Sequence, residues 1–397
     1  MKTPLEGLRV LDFSRVLAGP YCSMMMGDMG AEVIKVEEPG KGDDTRSWGP
    51  PFQSGESTYF LSVNRNKKSV TLNLKAPGGR AVAQRLAAVS DVLLENFRPG
   101  TMDRLGLGYA QLRPANRKLV YCSISGFGQT GPERERPGYD AMIQGEGGLM
   151  SITGFPDGPP TKVGVSIADL VAGMLAFHGI LLALRVAEKT GQGQWVDISL
   201  LDGQVGLLTF QAQAYFATGK TPRRWGNAHS MITPYETYAT ADGYVIIAVG
   251  TDDMWRRFAR LMDLPADGDF GERFATSAQR VERREELAAI LKPRIARRTT
   301  AEWIAMLQEA GIPCGRVRDV AEVLGDPHVL ERALVQEMEH AAIGKLRTTG
   351  IPIKLSATPG RITAAPPLLG ADTDQVLATA LGMTAAEIAR LREDGAL

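Results

Sequence analysis

Short apolar runs, set apart by glycine, proline or charged residues, dominate the first third of the chain. Val10–Phe13, Glu32–Glu37, Ser69–Leu74, Asp91–Asn96 and Leu119–Ser125 each read as a buried strand. Helical patterns lie between them: Pro20–Met29, stopped at Gly30; a segment from Pro77 to Val89; and a short one around Met102–Leu105. Strand, helix and parallel strand form a βαβ unit. Its repetition predicts a Rossmann-like, doubly wound α/β sheet. The strands end at Ser14, Lys75, Asn96 and Gly126, and such sheets bind ligands beyond their carboxyl ends.

Further on, residues 170–184 are apolar around most of a helix, which predicts burial. The run is shorter than a membrane span and continues into Arg185 and Glu188, as a core helix does. A strand at Trp195–Ser199 and a helix at Leu201–Thr218 follow. The character then changes. Thr233–Ala239 and Tyr244–Gly250, joined through Asp242-Gly243, predict an antiparallel hairpin. Met254–Met262, Arg280–Arg297 and Ala301–Gly311 predict amphipathic helices, and Ala385–Leu391 a last one. The expected organisation is a large domain over 1–225, a small α+β domain over 226–325, and a C-terminal segment over 326–397.

Composition narrows the partners. With 397 residues, two domains are expected rather than one. Lys plus Arg and Asp plus Glu both number 45, so nothing in overall charge suggests a nucleic-acid partner. Cys22, Cys122 and Cys314 are too few and too scattered for a disulfide framework, which suits a reducing compartment. No CxxC, HExxH or close Cys/His cluster is present, so no metal is expected. The first residues lack an apolar signal core. A soluble, cytoplasmic protein without a membrane partner is the expectation.

One acid stands out. Asp169 follows a Gly- and Pro-rich approach from Gly138 to Gly164 and opens the apolar helix. Ser166-x-x-Asp169 fits a helix capping box, which would make the acid structural. Its place beside the interior equally suits a reactive carboxylate. Both readings stand on spacing alone.

The chain resembles the family III CoA-transferases, the group that includes formyl-CoA transferase and the succinyl-CoA:dicarboxylate transferases. Matching blocks run in order along most of its length: Leu8-Arg9-Val10-Leu11-Asp12-Phe13-Ser14, Gly30-Ala31-Glu32-Val33-Ile34-Lys35-Val36-Glu37, Asn64-Arg65-Asn66-Lys67-Lys68-Ser69, Glu95-Asn96-Phe97-Arg98-Pro99-Gly100 and Gly126-Phe127-Gly128-Gln129-Thr130-Gly131-Pro132. The resemblance implies a homodimer of two interlocked chains and a C-terminal tail that rejoins the first domain. It implies that Asp169 is the nucleophile, carrying an acyl group and then CoA, with no tightly bound cofactor and an acyl-CoA thioester as substrate. It places CoA contacts on Val16, on Leu72 to Lys75, on Asn96, Phe97 and Arg104, and on Tyr139. No GxGxxG follows the first strand, which argues against NAD. Glu38 stands where many relatives carry a cation.

Substrate choice narrows further. Formyl-CoA transferases carry a poly-glycine loop, but the stretch Arg224-Trp225-Gly226-Asn227-Ala228-His229 here has no glycine run and resembles succinyl-CoA-dependent enzymes acting on glutarate and related acids. A dicarboxylic acceptor needs a cation or donor for its second carboxylate, and Arg46, Arg224 and His229 are candidates. Gly147, Gly148 and Gly226 are candidates for oxyanion-binding amides; the same glycines also suit plain turns. Exposed Lys and Arg, and a packed His229, have equally ordinary structural readings. Alternatives are a formyl-CoA/oxalate-type transferase, a 2-methylacyl-CoA racemase, for which Tyr139 poorly replaces the required histidine base, and a non-catalytic CoA-binding protein.

Overall fold

A computed structural model describes residues 2–397. The chain forms two compact units. The first comprises Met1–Leu149, Val163–Gln213 and Pro327–Leu397; the second comprises Met150–Lys162 and Ala214–Asp326. The smaller unit therefore starts before residue 226 and takes in a stretch from further upstream. The reason is local: the Gly226 N–H donates to the Gly154 carbonyl, and Arg224 donates to the carbonyls of Phe155, Pro156 and Gly158.

The first unit is built on a six-stranded parallel sheet. Its strands are β1 (Arg9–Asp12), β2 (Glu32–Glu37), β3 (Lys67–Thr71), β4 (Val92–Glu95), β5 (Val120–Ser125) and β6 (Trp195–Ser199). They lie in the order β3-β2-β1-β4-β5-β6, each pair parallel. This is the Rossmann order, and its direction of winding reverses between β1 and β4. Alternate side chains feed opposite faces, as the strand period requires. Val10, Val33, Val92 and Leu94 join one core, with helices α1 (Ala18–Asp28) and α4 (Ile167–Thr190). Leu11, Ile34, Val70 and Leu93 join the other, beneath α2 (Pro77–Ala88) and the C-terminal helices Thr373–Leu381 and Ala385–Glu393. Between β5 and α4 lies the short helix α3 (Asp140–Glu146).

Several elements differ from expectation. The helix expected at Leu201–Thr218 is two helices, Leu200–Leu207 and Thr209–Thr218, broken where Thr209 takes φ 34°. The one expected at Arg280–Arg297 divides at Arg283. The helix Thr373–Leu381 was not expected, although Asp372 stands at its N-cap; that side chain caps nothing and instead accepts from the Ser69 N–H at 2.8 Å. Most instructive is α4. It is longer than its apolar run, and length and composition alone would let it span a membrane. Its small-residue face, including Ala168, Ala172, Gly173, Ala176 and Ala183, is buried, whereas Leu182 is 70% exposed and Met174, Leu175 and Val186 are exposed as well. The expectation of burial all round fails because only one face has a partner in the single chain.

The second unit holds the hairpin, Tyr235–Ala239 paired with Tyr244–Ala248, extended by Cys314–Arg316. Its core joins Tyr238, Val245 and Ile247 to Trp255, Phe258, Leu287 and Trp303.

Candidate active site

A cavity of about 360 Å³ opens at the carboxyl ends of β1 and β4, where the winding reverses. Its walls come from the loop after β1 (Arg15–Ala18), the loop after β4 (Asn96–Pro99), the end of β5 (Ile124–Gly126), the segment Arg136–Tyr139, and Asp169. Two wall segments cross at Gly126 and Gly138. A Cβ on Gly126 would lie 2.7 Å from the Gly138 Cα, so only glycine permits that crossing. The crossing delivers Tyr139 and Asp140 to the start of α4.

Asp169 sits half-buried in the first turn of α4. The capping-box reading does not hold. Ser166, at the N-cap position, makes no side-chain cap bond. Asp140, from α3, does that work: its Oδ1 accepts from the Ala168 N–H at 2.8 Å and the Asp169 N–H at 3.4 Å, while Oδ2 accepts from Gln144 Nε2 at 2.7 Å. The Asp169 carboxyl is thereby left facing the cavity. Burial, and then the Asp140 charge, push it up to about 7. The Tyr59 hydroxyl, bonded to Ser166, is pushed up to about 12 by its own burial and by the Asp169 and Asp140 charges.

Of the residues expected to contact CoA, Val16, Asn96, Phe97 and Tyr139 share this cavity with Asp169. Asn96 spends its amide on the Arg15 main chain, accepting from N at 2.8 Å and donating to O at 2.7 Å. Phe97 is flanked by the Arg15 guanidinium, 4.9 Å from its ring. Leu72 is not available through its side chain, which is 2% exposed in the core. Lys75 pairs with Glu38 at 3.0 Å, so the acid at the departed position partly neutralises that cation. Arg104 is held by the Thr101 hydroxyl at 3.0 Å.

The substrate candidates fare differently. Arg46 is locked in a bidentate pair with Glu37, both contacts 2.7 Å, donates to the Pro367 carbonyl and covers the Phe60 ring. Arg224 serves three carbonyls, as described above. Both guanidiniums are thus already engaged within the chain. The amides of Gly147, Gly148 and Gly226 already donate to the carbonyls of Ile143, Gly145 and Gly154, which removes them as ready oxyanion donors. Gly226 and His229 belong to the second unit, where the His229 ring stacks on Tyr235 at 5.3 Å and its Nδ1 accepts from the Met231 N–H. Sequence reasoning passed over Arg98 and Arg136, which line the cavity, although both lie in or beside motif blocks. No histidine lines it, so the acid–base pair of a racemase is missing there.

Compared with known proteins, CoA-transferase family III matches residues 5–373. The chain belongs to that family. Family III CoA-transferases similar to it include the succinyl-CoA:glutarate CoA-transferase of Mus musculus, 43% identical over 99% of this chain and 90% of the relative. The succinate–glutarate CoA-transferase of Agrobacterium fabrum is 42% identical over 95% of this chain and 96% of its own. A solved CAIB/BAIF family protein from Brucella suis is 40% identical, with a TM-score of 0.84 and coverage of 96% of this chain and 100% of that one. The parallel sheet and its switch-point cavity are thus those of a CoA-transferase.

Proposed function

We propose that this CoA-transferase moves CoA from succinyl-CoA to a dicarboxylic acid of the glutarate class through a thioester on Asp169. The observation that carries the reading is the Asp169 carboxyl itself: relieved of capping by Asp140, half-buried, and facing a cavity at the sheet's switch point. The names of the relatives support the substrate class.

The course needs no metal or organic cofactor. The Asp169 carboxylate attacks the donor thioester carbonyl; a C–O bond forms, the C–S bond breaks, and CoA leaves as thiolate. The thiolate attacks the aspartyl carbonyl of the mixed anhydride and releases the donor acid. An aspartyl-CoA thioester remains. The acceptor carboxylate then attacks that thioester, and the released thiolate takes the acceptor acyl group, restoring Asp169. Anhydrides hydrolyse, so the cavity must exclude water while they exist.

Arg98 is assigned to the acceptor's second carboxylate. Three arginines line the cavity. Arg136 is engaged by Glu133 and Glu146, and Arg15 lies over Phe97 and 4.0 Å from Asp44. The exposed Arg98 side chain has no hydrogen-bond partner among the described residues. A second copy of the chain, interlocked with the first, is proposed to cover the apolar face of α4.

Incubation with succinyl-CoA and hydroxylamine should leave a hydroxamate at Asp169 in a peptide map. An unmodified Asp169 under turnover would count decisively against the thioester. Arg98→Met should raise the KM for glutarate at least about tenfold and leave a monocarboxylate acceptor unaffected. A rise in the succinyl-CoA KM alone would instead assign Arg98 to CoA.

A further inference from the structure

The loop after β1 is held in a way that ordinary loops are not. Five consecutive main-chain polar groups, from the Ser14 N–H to the Val16 N–H, are each bonded by a side chain. Asp12 Oδ1 accepts from Ser14 N at 2.8 Å, and Lys35 Nζ donates to the Ser14 carbonyl at 2.9 Å. Asn96 takes both polar groups of Arg15. The Asp43 carboxylate accepts from Val16 N, 3.3 Å from each oxygen. Surface loops usually give such groups to water or to their own turns. Here four side chains from β1, β2 and the segments after β2 and β4 do so.

The result is a strained residue. Val16 has φ 68°, in the left-handed region that a β-branched side chain rarely enters. Strain of this kind persists only where the surroundings over-determine it. The over-determination rests on an ion pair: Lys35 Nζ lies 2.8 Å from Asp43 Oδ2, with the two side chains 1% and 0% exposed. Asp43 is fixed in turn by the N–H and hydroxyl of Thr45. Neither Lys35 nor Asp43 lines the cavity, whereas Arg15, Val16, Leu17 and Ala18 all do.

We infer that the buried Lys35–Asp43 pair is a positioning element for acyl-CoA: it clamps the Ser14–Val16 main chain, holds Val16 in its strained conformation, and so presets the cavity wall against which the thioester lies. The inference rests on the reading that this cavity takes acyl-CoA. It adds that the wall is formed before the ligand arrives. A buried ion pair is by itself weak evidence for stabilisation, and an apolar replacement is often tolerated. What distinguishes this pair is the strained loop it grips.

Hydrogen exchange on the ligand-free wild-type enzyme gives the first test. The Ser14, Arg15 and Val16 amides should exchange at least about a hundredfold slower than an open loop, with little change on adding CoA. Exchange at open-loop rates, with protection appearing only on CoA addition, would overturn the inference. The second test is the double variant Lys35→Met/Asp43→Asn, which removes both charges together and keeps an acceptor for the Thr45 N–H. The folded variant should show an acyl-CoA KM raised about tenfold or more, while kcat at saturating donor stays within about threefold. Adding Val16→Gly to it should recover part of that KM, because glycine adopts the left-handed conformation unaided. A folded double variant with the wild-type acyl-CoA KM would refute the clamp. Failure of the cavity assignment is read separately, as absence of the trapped Asp169 adduct in wild-type enzyme.

Discussion

Asp43 and Asp169 are two acids of the first unit, both withdrawn from water and both close to one cavity, yet their environments oppose each other. Asp43 meets Lys35, the Thr45 N–H and hydroxyl, and the Val16 N–H. Burial alone would raise it, but the Lys35 charge and these donors hold it well below the usual carboxylate range. Asp169 has no cation against it. Burial and the Asp140 carboxylate push it up to about 7. The first arrangement fixes a charge permanently, which suits a structural clamp. The second leaves a carboxylate poorly stabilised by its surroundings, and that is what a nucleophile toward a thioester needs.

The largest effects should separate the two acids by kind. Asp169→Asn should lower kcat by about four orders of magnitude with the far-UV spectrum unchanged and no loss of stability in the melt. Asp43→Asn should do the reverse in emphasis. Removing the carboxylate bonded to buried Lys35, and leaving only the more distant Asp12 and Glu37 charges, should cost about 3 kcal/mol of stability, read from urea unfolding. Fully active Asp169→Asn enzyme, or Asp43→Asn enzyme with an unchanged unfolding midpoint, would dissolve the contrast.

That contrast was only half readable from residues. The strands were plain from their apolar runs, and Glu32–Glu37 and Trp195–Ser199 match their expected bounds. Asp169 was visible as an acid at the mouth of an apolar helix. What could not be read was which carboxylate would cap that helix, because Asp140 is 28 residues away from Ala168 and meets it only through the Gly126–Gly138 crossing. Local spacing favoured Ser166 with Asp169, and long-range packing overrode it. The partners of the candidate cations were unreadable for the same reason. Arg46 and Arg224 look available in sequence, and their partners, Glu37 and the carbonyls of residues 155–158, become visible only in three dimensions. The clamp on Ser14–Val16 draws on four separate segments, and apart from the Asp12–Ser14 contact it has no local signature.

A smaller effect should follow from the Asp140 charge. Because the Asp169 carboxyl reacts as the anion and is pushed up to about 7, kcat/KM for the donor should fall as pH drops through that region. Asp140→Asn keeps an oxygen for the Ala168 N–H but removes the negative neighbour. The acid limb should therefore move to lower pH, with the plateau rate changed less than its position. An acid limb unmoved in Asp140→Asn would mean that burial alone sets the Asp169 titration.

The smallest effect is on stability, and its sign is opposite to the usual loss of function. The folded Asp169 carboxyl titrates higher than in the unfolded chain, so the native state binds the proton more tightly. The resulting cost is absent below about pH 4, grows as pH rises toward 7, and is fully present above it. A rise from 3.8 to about 7 is worth on the order of 4 kcal/mol, and partial exposure of the group reduces what unfolding reads to about 2 kcal/mol. Asp169→Asn, which carries no charge at any of these values, should be more stable than wild type at pH 8 by about that amount, and by less at pH 5. Paired urea titrations at the two values measure the difference. If the amide variant were the less stable protein at pH 8, the Asp169 carboxylate would be held by favourable contacts like those of Asp43, and the division between clamp and nucleophile would lose its physical basis.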